Sequence, residues 1–337
     1  MEVVDGARGG PAEAELLAAA RAGDETAFRE LTEPYARELQ VHCYRMLGSL
    51  HDAEDALQDT LLRAWRHLGS FEGRSSFRGW LYKVATNVCL TASERRRREP
   101  PAPSVPSLDV PYLGPYPDEL LDELEAVEPS PAARYDLRES VQLAFLAAIQ
   151  LLPARQRAVL ILRDVLGWSA KEVADLLETT TTSANSALQR ARETLELRRR
   201  NGELRAAAAP SDETERSLLE RYMNTWEAVD IDGFVALLRE DAVLWMPPES
   251  AQIVGREGIG QFFGTVPADG ELDKIRLVET RANRQPALAA YLWDPDDRVY
   301  RPYGLMVLTI DGDAISEITG FPDPALFARF GLPEELR

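Results

Sequence analysis

The sequence predicts a multidomain protein in which two all-α modules, the second a helix-turn-helix, are followed by an α+β module. Three observations support this prediction. Apolar residues recur at helical spacing in residues 14–98 and 135–205, a segment rich in proline and acidic residues divides these stretches, and β-rich runs with turn signals follow residue 211. The predicted domains are therefore 14–98, a linker at 99–134, a module at 135–205 and a module at 211–330.

An amphipathic helix is predicted over residues 52–66. Its apolar side chains share one stripe, and three aspartates, Asp52, Asp55 and Asp59, share another. A solvated helix face would carry such charges too, but an unpaired acidic stripe is better explained by a basic partner surface. We therefore expect a docking surface made of Asp52, Asp55, Gln58 and Asp59.

Aromatic rings and cations alternate in residues 71–98. Residues 70–98 hold seven basic and two acidic side chains, although the whole chain has a net charge of −18. Such a pattern suits stacking on unpaired bases beside a positively charged groove. The arginines at 95–98 are expected to meet phosphates. The candidate DNA-binding residues of this module are Arg74, Ser75, Ser76, Phe77, Trp80, Lys83 and Asn87.

A helix-turn-helix is predicted within residues 151–192. Residues 172–177 supply an apolar stripe, and the threonines at 179–182 interrupt it and offer an N-cap for a second helix. Along that helix, alanines and leucines at helical spacing face inward and leave a polar face for the major groove. An ordinary helical hairpin with solvated charges is the alternative. The candidate base-reading residues are Asn185, Ser186, Gln189 and Arg190.

Residues 99–134 predict a stiff, extended linker rather than packed structure. They include seven prolines at positions 100–117, and they hold one basic residue against eight acidic ones. A plain spacer would account for this composition. The alternative is a segment whose negative charge imitates nucleic acid.

Together these blocks, over about residues 14–205, resemble a bacterial sigma factor of the sigma-70 family, in its extracytoplasmic-function group. The resemblance implies binding to core RNA polymerase, with residues 52–66 docking on the clamp helices of the β′ subunit and further contact to the β subunit. It also implies that residues 71–98 melt and read the −10 promoter element, with Asn87 contacting it and residues 74–77 capturing an extruded base. Residues 135–200 would read the −35 element, and the linker would thread through the polymerase toward the RNA exit channel.

The C-terminal third resembles the SnoaL-like cone fold of the nuclear transport factor superfamily over about residues 213–330. Helices are predicted near 217–228 and 232–238, and β-rich runs near 242–248, 287–293, 305–310 and 314–318. Some relatives are cyclases or isomerases with a buried carboxylate, but no histidine lies in this module. We expect regulatory packing, with a small ligand as the alternative. The candidate pocket residues are Trp226, Asp241, Trp245 and Tyr303, together with Met246 and Tyr291.

Composition excludes several classes of protein. Cys43 and Cys89 lie among apolar helical neighbours without metal-ligand spacing, and the three histidines are scattered, so we expect buried thiols, no metal and no cofactor. No signal peptide and no uncharged apolar run of about 18 residues is present, which predicts a cytoplasmic protein without a membrane segment.

Promoter recognition without an active site, modulated by the C-terminal module, is therefore the predicted function. Two rival functions remain. One is a stand-alone helix-turn-helix regulator with a ligand-binding C-terminal domain, and the other is a SnoaL-type enzyme with a DNA-binding appendage. The first gives no role to residues 52–87, and the second predicts turnover by the C-terminal module alone.

Overall fold

The computed structural model describes residues 11–73, 75–98, 113–122, 140–200, 211–247 and 252–337. The chain divides into two compact units. The first unit comprises Met1–Pro100 and Leu120–Leu204, and the second comprises Pro101–Glu119 and Arg205–Arg337. Both helical modules therefore belong to one unit, and part of the predicted linker belongs to the unit that contains the C-terminal module.

Four helices form the first half of the helical unit. Asp24 caps the second of them, because its carboxylate accepts hydrogen bonds from the amides of Thr26 (2.9 Å) and Ala27 (3.1 Å). Gly48 ends that helix in the left-handed conformation (φ 78°), which a glycine adopts without strain. The four helices are α1 (Pro11–Arg21), α2 (Glu25–Leu47), α3 (Leu50–His67) and α4 (Phe77–Arg98).

Within residues 140–200, four further helices belong to the second half, and the last two are the predicted helix-turn-helix. Ser169 and Glu172 make a capping box at the start of the first of these, so Glu172 caps the helix and does not belong to its apolar stripe. Thr180 caps the next helix by accepting the Ser183 amide (3.1 Å). The helices are α5 (Leu143–Gln150), α6 (Ala154–Leu160), which continues into a π-helical turn (Ile161–Val165), α7 (Ala170–Leu176) and α8 (Thr181–Arg200).

The second unit is an α+β domain, as predicted. Three helices precede or interrupt a six-stranded sheet: α9 (Asp212–Glu227), α10 (Ile231–Val235) and α11 (Arg256–Phe263). The strands are β1 (Leu238–Trp245), β2 (Gln252–Val254), β3 (Ile275–Ala282), β4 (Gln285–Asp294), β5 (Val299–Asp311) and β6 (Ala314–Phe321). Their order is β2-β1-β6-β5-β4-β3, with β1 and β6 parallel and the other neighbours antiparallel.

One face of this sheet packs on the helices through an aromatic cluster. Tyr222 stacks on Trp226 with ring centroids 6.1 Å apart, and the Phe263 ring meets Trp226 at 5.7 Å and Phe234 at 5.1 Å, in both cases edge-on. All four side chains are buried. The space between helices and sheet is thus occupied by protein side chains.

The C-terminal residues cover the opposite face of the sheet. Tyr291 contacts Phe327 of helix α12 (Leu326–Arg329) at 4.9 Å, and its hydroxyl donates to the carbonyl of Pro333 (3.0 Å). Leu336 forms an antiparallel bridge with Tyr300. Residues 326–336 are therefore part of the folded domain.

Part of the predicted linker is packed, which corrects the expectation of a purely extended spacer. Tyr116 is fully buried, its amide donates to Asn283 Oδ1 (2.8 Å), and its carbonyl accepts the Asn283 amide (2.9 Å). Pro117 bridges Ala282 at the turn between β3 and β4. Residues 113–119 thus form a short docked segment on this edge of the sheet, which we call the docked linker.

Two absences concern the described residues. Among them, no helix combines the length and apolar composition that a membrane span requires. In the same ranges, no three histidine, cysteine, aspartate or glutamate side chains are grouped to hold a metal ion.

Candidate nucleic-acid interface

Helix α8 presents the predicted base-reading face to solvent. Its rotation is fixed by Ala184, Leu188 and Ala191, which are buried against the rest of the helical unit. The Gln189 side-chain amide donates to Glu193 (2.9 Å), which holds it along the helix surface. The structure brings the four candidates onto one face: Asn185, Gln189 and Arg190 are exposed, and Ser186 is half-buried.

Arg192 follows this face but is held within the chain. Its guanidinium donates to both carboxylate oxygens of Asp164, at 2.9 and 2.6 Å. Such a bidentate pair fixes the helix against the turn after α6. Arg192 is therefore a positioning residue in this structure.

Helix α4 begins with an aromatic cluster whose central member is Phe77. The Phe77 ring lies 5.6 Å from Phe71 and 5.7 Å from Trp80, and its side chain is only 2% exposed. The expectation that Phe77 stacks on an unpaired base is thus corrected, because a ring enclosed in the core has no face to offer. Trp80, stacked on Phe77, remains half-buried at the surface.

Two of the three polar candidates in the loop before α4 are described and are exposed to solvent. Ser75 and Ser76 are exposed, and the Ser76 hydroxyl accepts the Gly79 amide (3.1 Å), which caps the helix. Arg74 lies outside the described residues. The serines are therefore placed where an unstacked nucleotide could meet them, and one of them also shapes the helix start.

Lys83 and Asn87 share one face of α4, since they are four residues apart. Asn87 is exposed. Lys83 Nζ lies 2.9 Å from Glu178 Oε1, in the turn between α7 and α8, and this hydrogen bond and charge hold the pKa of Glu178 below its ordinary value. One residue earlier, the Tyr82 ring contacts Trp168 at 5.2 Å. The helix-turn-helix therefore touches α4 beside the predicted −10-reading residues.

Arg78 and His42 hold α4 in position through contacts between α4 and α2. Neither residue was predicted from the sequence to have this role. Arg78 Nε donates to Glu38 of α2 at 2.9 and 3.0 Å, and the guanidinium lies 5.0 Å from the Tyr82 ring centroid. His42 is fully buried, and its Nε2 lies 2.9 Å from the Thr86 hydroxyl. The pairs are 40 and 44 residues apart in sequence, so no local pattern reveals them.

The acidic stripe on α3 is partly neutralised within the chain. Asp52 pairs with Arg96 of α4, so its basic partner is internal and Asp52 is corrected from a docking to a positioning role. The same contact removes Arg96 from the four arginines expected to meet phosphates. Asp59 pairs with Arg63 (3.0 Å) but is half-exposed, and Gln58 and Asp55 are exposed as well. The remaining surface surrounds Leu62, a leucine that is 52% exposed.

A groove lies on the helical unit between α5, α6 and the C-terminal part of α8. Its volume is about 400 Å³, and its walls are apolar with charged side chains at the rim. The apolar lining comes from Phe145, Leu160, Val165 and Leu195. This groove is separate from the candidate base-reading residues of α8, which lie nearer the N-terminus of that helix.

The candidate pocket residues of the α+β domain do not converge. Trp226 belongs to the core, where its indole donates to the Ile275 carbonyl (3.3 Å). Asp241 accepts from Arg239 (3.0 Å) and points away from the core, because strand alternation puts it opposite buried Ala242. Trp245 lies on the same side of β1 as Asp241 but is buried. Tyr303 is 36% exposed, and Tyr291 faces the C-terminal residues. The expectation that these residues line one pocket is corrected.

Comparison with known families gives the class of protein. Residues 31–99 match Sigma-70 region 2, residues 142–195 match Sigma-70 region 4, and residues 219–318 match the SnoaL-like domain. The first two matches contain helices α3, α4 and α7, and α8 up to residue 195, and these helices carry the candidate surfaces described above. The chain is a sigma factor, which directs promoter recognition and transcription initiation and binds core RNA polymerase and promoter DNA.

Individual relatives narrow the class. The ECF RNA polymerase sigma factor SigG of Mycobacterium tuberculosis is 45% identical over 329 residues, covering 94% of this chain and 86% of that protein. SigM of the same species is 33% identical over 56% of this chain and 84% of its own length. The crystal structure of the M. tuberculosis extracytoplasmic function sigma factor SigJ shares the fold, with a TM-score of 0.59 and 20% identity over 88% of this chain and 96% of that chain. The chain belongs to the ECF RNA polymerase sigma factors.

Proposed function

We propose that three surfaces of the helical unit divide the work of promoter recognition. Helix α3 docks on the β′ clamp helices through Asp55, Gln58 and Asp59, and the apolar groove beside α8 receives the β subunit. The exposed charge of α3 and the apolar walls of the groove support these two assignments. The −10 element is read by Ser75, Ser76, Trp80, Lys83 and Asn87, and the −35 element by Asn185, Ser186, Gln189 and Arg190.

We further propose that the α+β domain controls this activity by holding the docked linker. The observation that supports this proposal is the burial of Tyr116 against the β3–β4 turn. Asp118 adds polar contacts, because its carboxylate accepts the Arg284 amide (2.7 Å) and the Arg281 guanidinium (3.3 Å). Burial raises the pKa of the Asp118 carboxyl despite these partners. A linker held in this way is withheld from the polymerase.

Packing, rather than catalysis or ligand binding, is the role that we propose for the domain interior. The aromatic cluster around Trp226 supports it, because these side chains fill the core. The exposed position of Asp241 adds support, since a catalytic carboxylate needs an enclosed apolar setting to act as an acid or base near neutral pH. Under this proposal the isolated domain is no isomerase.

Releasing the docked linker tests the regulatory proposal. We expect Tyr116→Ala to raise run-off transcription by core polymerase at limiting sigma factor, because truncation of a buried aromatic side chain weakens packing by about 3–5 kcal/mol. Asp118→Ala should act in the same direction. Promoter output would be measured on one template across several sigma concentrations.

Glu119→Ala is the matched control, since Glu119 is the adjacent acidic linker residue and is exposed. Run-off transcription with the Glu119→Ala variant should equal that with the unmodified chain. If the Tyr116 and Asp118 variants also leave output unchanged, the linker has no regulatory role. A fall in output would contradict inhibition and assign the docked linker a supporting function instead.

A further inference from the structure

We propose that the ion pair between Asp164 and Arg192 holds α8 in the orientation in which it reads the −35 element, and that the occupant of the apolar groove strengthens this pair. Both residues are positioning residues, because they act through the side chains proposed to meet bases. The inference rests on the proposed function, since it concerns how the base-reading face of α8 is held. The geometry of the pair, the turn that presents Asp164 and the place of the pair on the groove support it.

The pair is bidentate and joins two separate elements. Arg192 Nε donates to one carboxylate oxygen of Asp164 at 2.9 Å, and its Nη2 donates to the other at 2.6 Å. Two parallel hydrogen bonds fix the angle of the planar guanidinium as well as its distance. These hydrogen bonds and the charge of Asp164 raise the pKa of Arg192 above its ordinary value. The two residues are 28 positions apart, so the pair restrains α8 against an element outside it.

Asp164 lies in the π-helical turn Ile161–Val165, which continues α6. In this turn the Leu166 amide donates to the Ile161 carbonyl (2.9 Å), five residues earlier instead of four. Because an α-helix has 3.6 residues per turn, one extra residue changes the direction of the side chains that follow. Such turns are rare and often occur at functional sites. Here the turn presents a carboxylate to α8.

Arg192 lies on α8 between the base-reading face and the groove. It follows Leu188 by four residues and precedes Leu195 by three, so the three side chains share one stripe of the helix. Leu188 is buried against the rest of the helical unit, and Leu195 lines the groove. Gln189, three residues before Arg192, is exposed on the neighbouring stripe. A rotation of α8 that the pair prevents would therefore displace the base-reading side chains.

Both members of the pair also belong to the wall of the groove. In the free chain their side chains are 61% and 31% exposed, so water and salt weaken the attraction between them. An occupant that covers the apolar lining removes water from the side of the pair that faces the groove. The Coulomb attraction grows about fourfold when the effective dielectric constant falls from about 80 to about 20. Occupation of the groove therefore makes the pair a firmer support for α8.

Transcription from a promoter library tests the proposal with the full chain bound to core polymerase. A template that the unmodified chain transcribes is randomised at both elements, and each transcript carries a barcode that identifies its promoter. Sequencing then gives, for each element, the enrichment of preferred over disfavoured bases. Preference at the −10 element is the internal control, because we assign its reading to the other half of the helical unit.

Asp164→Asn and Arg192→Gln should each lower the preference at the −35 element by roughly fivefold or more and leave the −10 preference unchanged. The double variant should lose no more than either single variant, because the two side chains act as one unit. Unchanged −35 preference in the single variants would overturn the proposal. An equal loss at both elements, or a double variant whose loss multiplies the single losses, would do the same.

Asp175→Asn is the matched control for the loss of a carboxylate. Asp175 pairs with Lys171 (3.1 Å) within α7, so its removal leaves the restraint on α8 intact. Both preferences should equal those of the unmodified chain. A loss of −35 preference as large as that of Asp164→Asn would contradict a specific role for the Asp164 pair.

Phe145→Ala tests the contribution of the groove occupant, since Phe145 lines the groove away from α8. At saturating core polymerase, this variant should lower the −35 preference by roughly twofold or more, because the pair is then less shielded. In combination with Asp164→Asn it should cause no further loss. An unchanged −35 preference in the bound Phe145 variant, or losses that multiply, would contradict the strengthening of the pair by the occupant.

Gln189→Ala separates failure of this inference from failure of the proposed function. Removal of a base contact should relax the preference at one position of the −35 element. If Gln189→Ala does so and Asp164→Asn does not, the positioning role is wrong and the base-reading assignment stands. If neither variant alters the −35 preference, both the inference and the assignment of α8 to this element are wrong.

Discussion

His42 illustrates how the stability of the packing between α2 and α4 depends on pH through a single buried residue. Its ring is enclosed between α2 and α4, 5.0 Å from the Tyr82 ring, with Nε2 beside the Thr86 hydroxyl. Burial, together with the nearby charges of Arg45 and Arg78, lowers the pKa of His42 from 6.5 to about 3. The imidazole is therefore neutral in the folded chain over the whole physiological range.

This lowered pKa predicts a loss of stability in acid. Below pH 6.5 the unfolded chain binds a proton at His42 that the folded chain rejects until about pH 3, so the free energy of unfolding falls as the pH drops through this window. Between pH 7.5 and pH 5 the loss should reach about 2 kcal/mol. Urea unfolding followed by circular dichroism would measure it.

The His42→Gln variant lacks this titrating group. Its free energy of unfolding should therefore depend less steeply on pH than that of the unmodified chain. His67→Gln is the matched control, because His67 is exposed on α3 and should keep the original dependence. Equal pH dependence for the two variants would show that His42 is not the titrating group.

Several residue roles lay beyond sequence reasoning for a common reason. The pattern around Phe77 is compatible with either a solvent-facing ring or a core ring, and only the positions of Phe71 and Tyr35 decide between them. Similarly, Asp52 belongs to an acidic stripe by spacing, but its partner Arg96 is 44 residues away. Local periodicity predicts which face a residue occupies, whereas the identity of its neighbour depends on tertiary packing.

At the scale of elements, α3 offers a coherent docking surface. Asp55, Gln58, Asp59 and Leu62 follow one another at helical spacing and are all exposed. An apolar side chain flanked by carboxylates matches a partner that is basic and partly apolar. This combination supports the assignment of α3 to polymerase binding better than the charges alone.

Reversing two charges on α3 tests that assignment. Asp55→Lys combined with Asp59→Lys should weaken retention of core polymerase in a pull-down at least tenfold, since like charges then face the basic partner. Folding should be preserved, because exposed substitutions usually change stability by about 0.5 kcal/mol or less. Glu30→Lys with Glu33→Lys on the exposed side of α2 gives a matched control that should still bind. Undiminished binding by the α3 variant would exclude this surface.

Elements differ in how well their sequences predicted them. The helix-turn-helix was predictable because the Thr run, the apolar spacing and the polar face all lie within 30 residues. The docked linker was not, because proline and acidic residues indicate an extended solvated chain, and its partner Asn283 is 167 residues from Tyr116. The α+β domain was predicted as a fold, but its interior was not, since a packed core and a pocket share the same apolar pattern.

At the scale of the whole molecule, the excess of negative charge disfavours DNA binding by the chain without polymerase. The chain has a net charge of −18, and residues beyond 205 hold twelve basic against twenty-four acidic side chains. Residues 70–98, with seven basic and two acidic side chains, carry a local positive charge, whereas the acidic excess in the rest of the chain repels phosphate. Such a chain is suited to bind promoters only when mounted on polymerase.

Deleting residues 211–337 should therefore strengthen non-specific duplex binding by the free chain. The deletion removes the acidic excess, and we expect roughly tenfold tighter binding at 50 mM salt, with the difference shrinking at 300 mM as charges are screened. Fluorescence anisotropy with a scrambled duplex would measure both affinities. Identical affinities at low salt would mean that the acidic domain has no electrostatic influence on DNA.

The docked linker also has a consequence for biosynthesis. Tyr116 leaves the ribosome 167 residues ahead of Asn283, the residue that receives it, and at about 5–20 residues per second this interval lasts roughly 10–30 s. The region 2 helices have already emerged when this interval begins, and the helix-turn-helix emerges within it, before the α+β domain is complete. A nascent chain would thus expose the surfaces that we propose for polymerase and DNA before Asn283 is available to hold the linker, so the restraint that we propose would arrive late in synthesis.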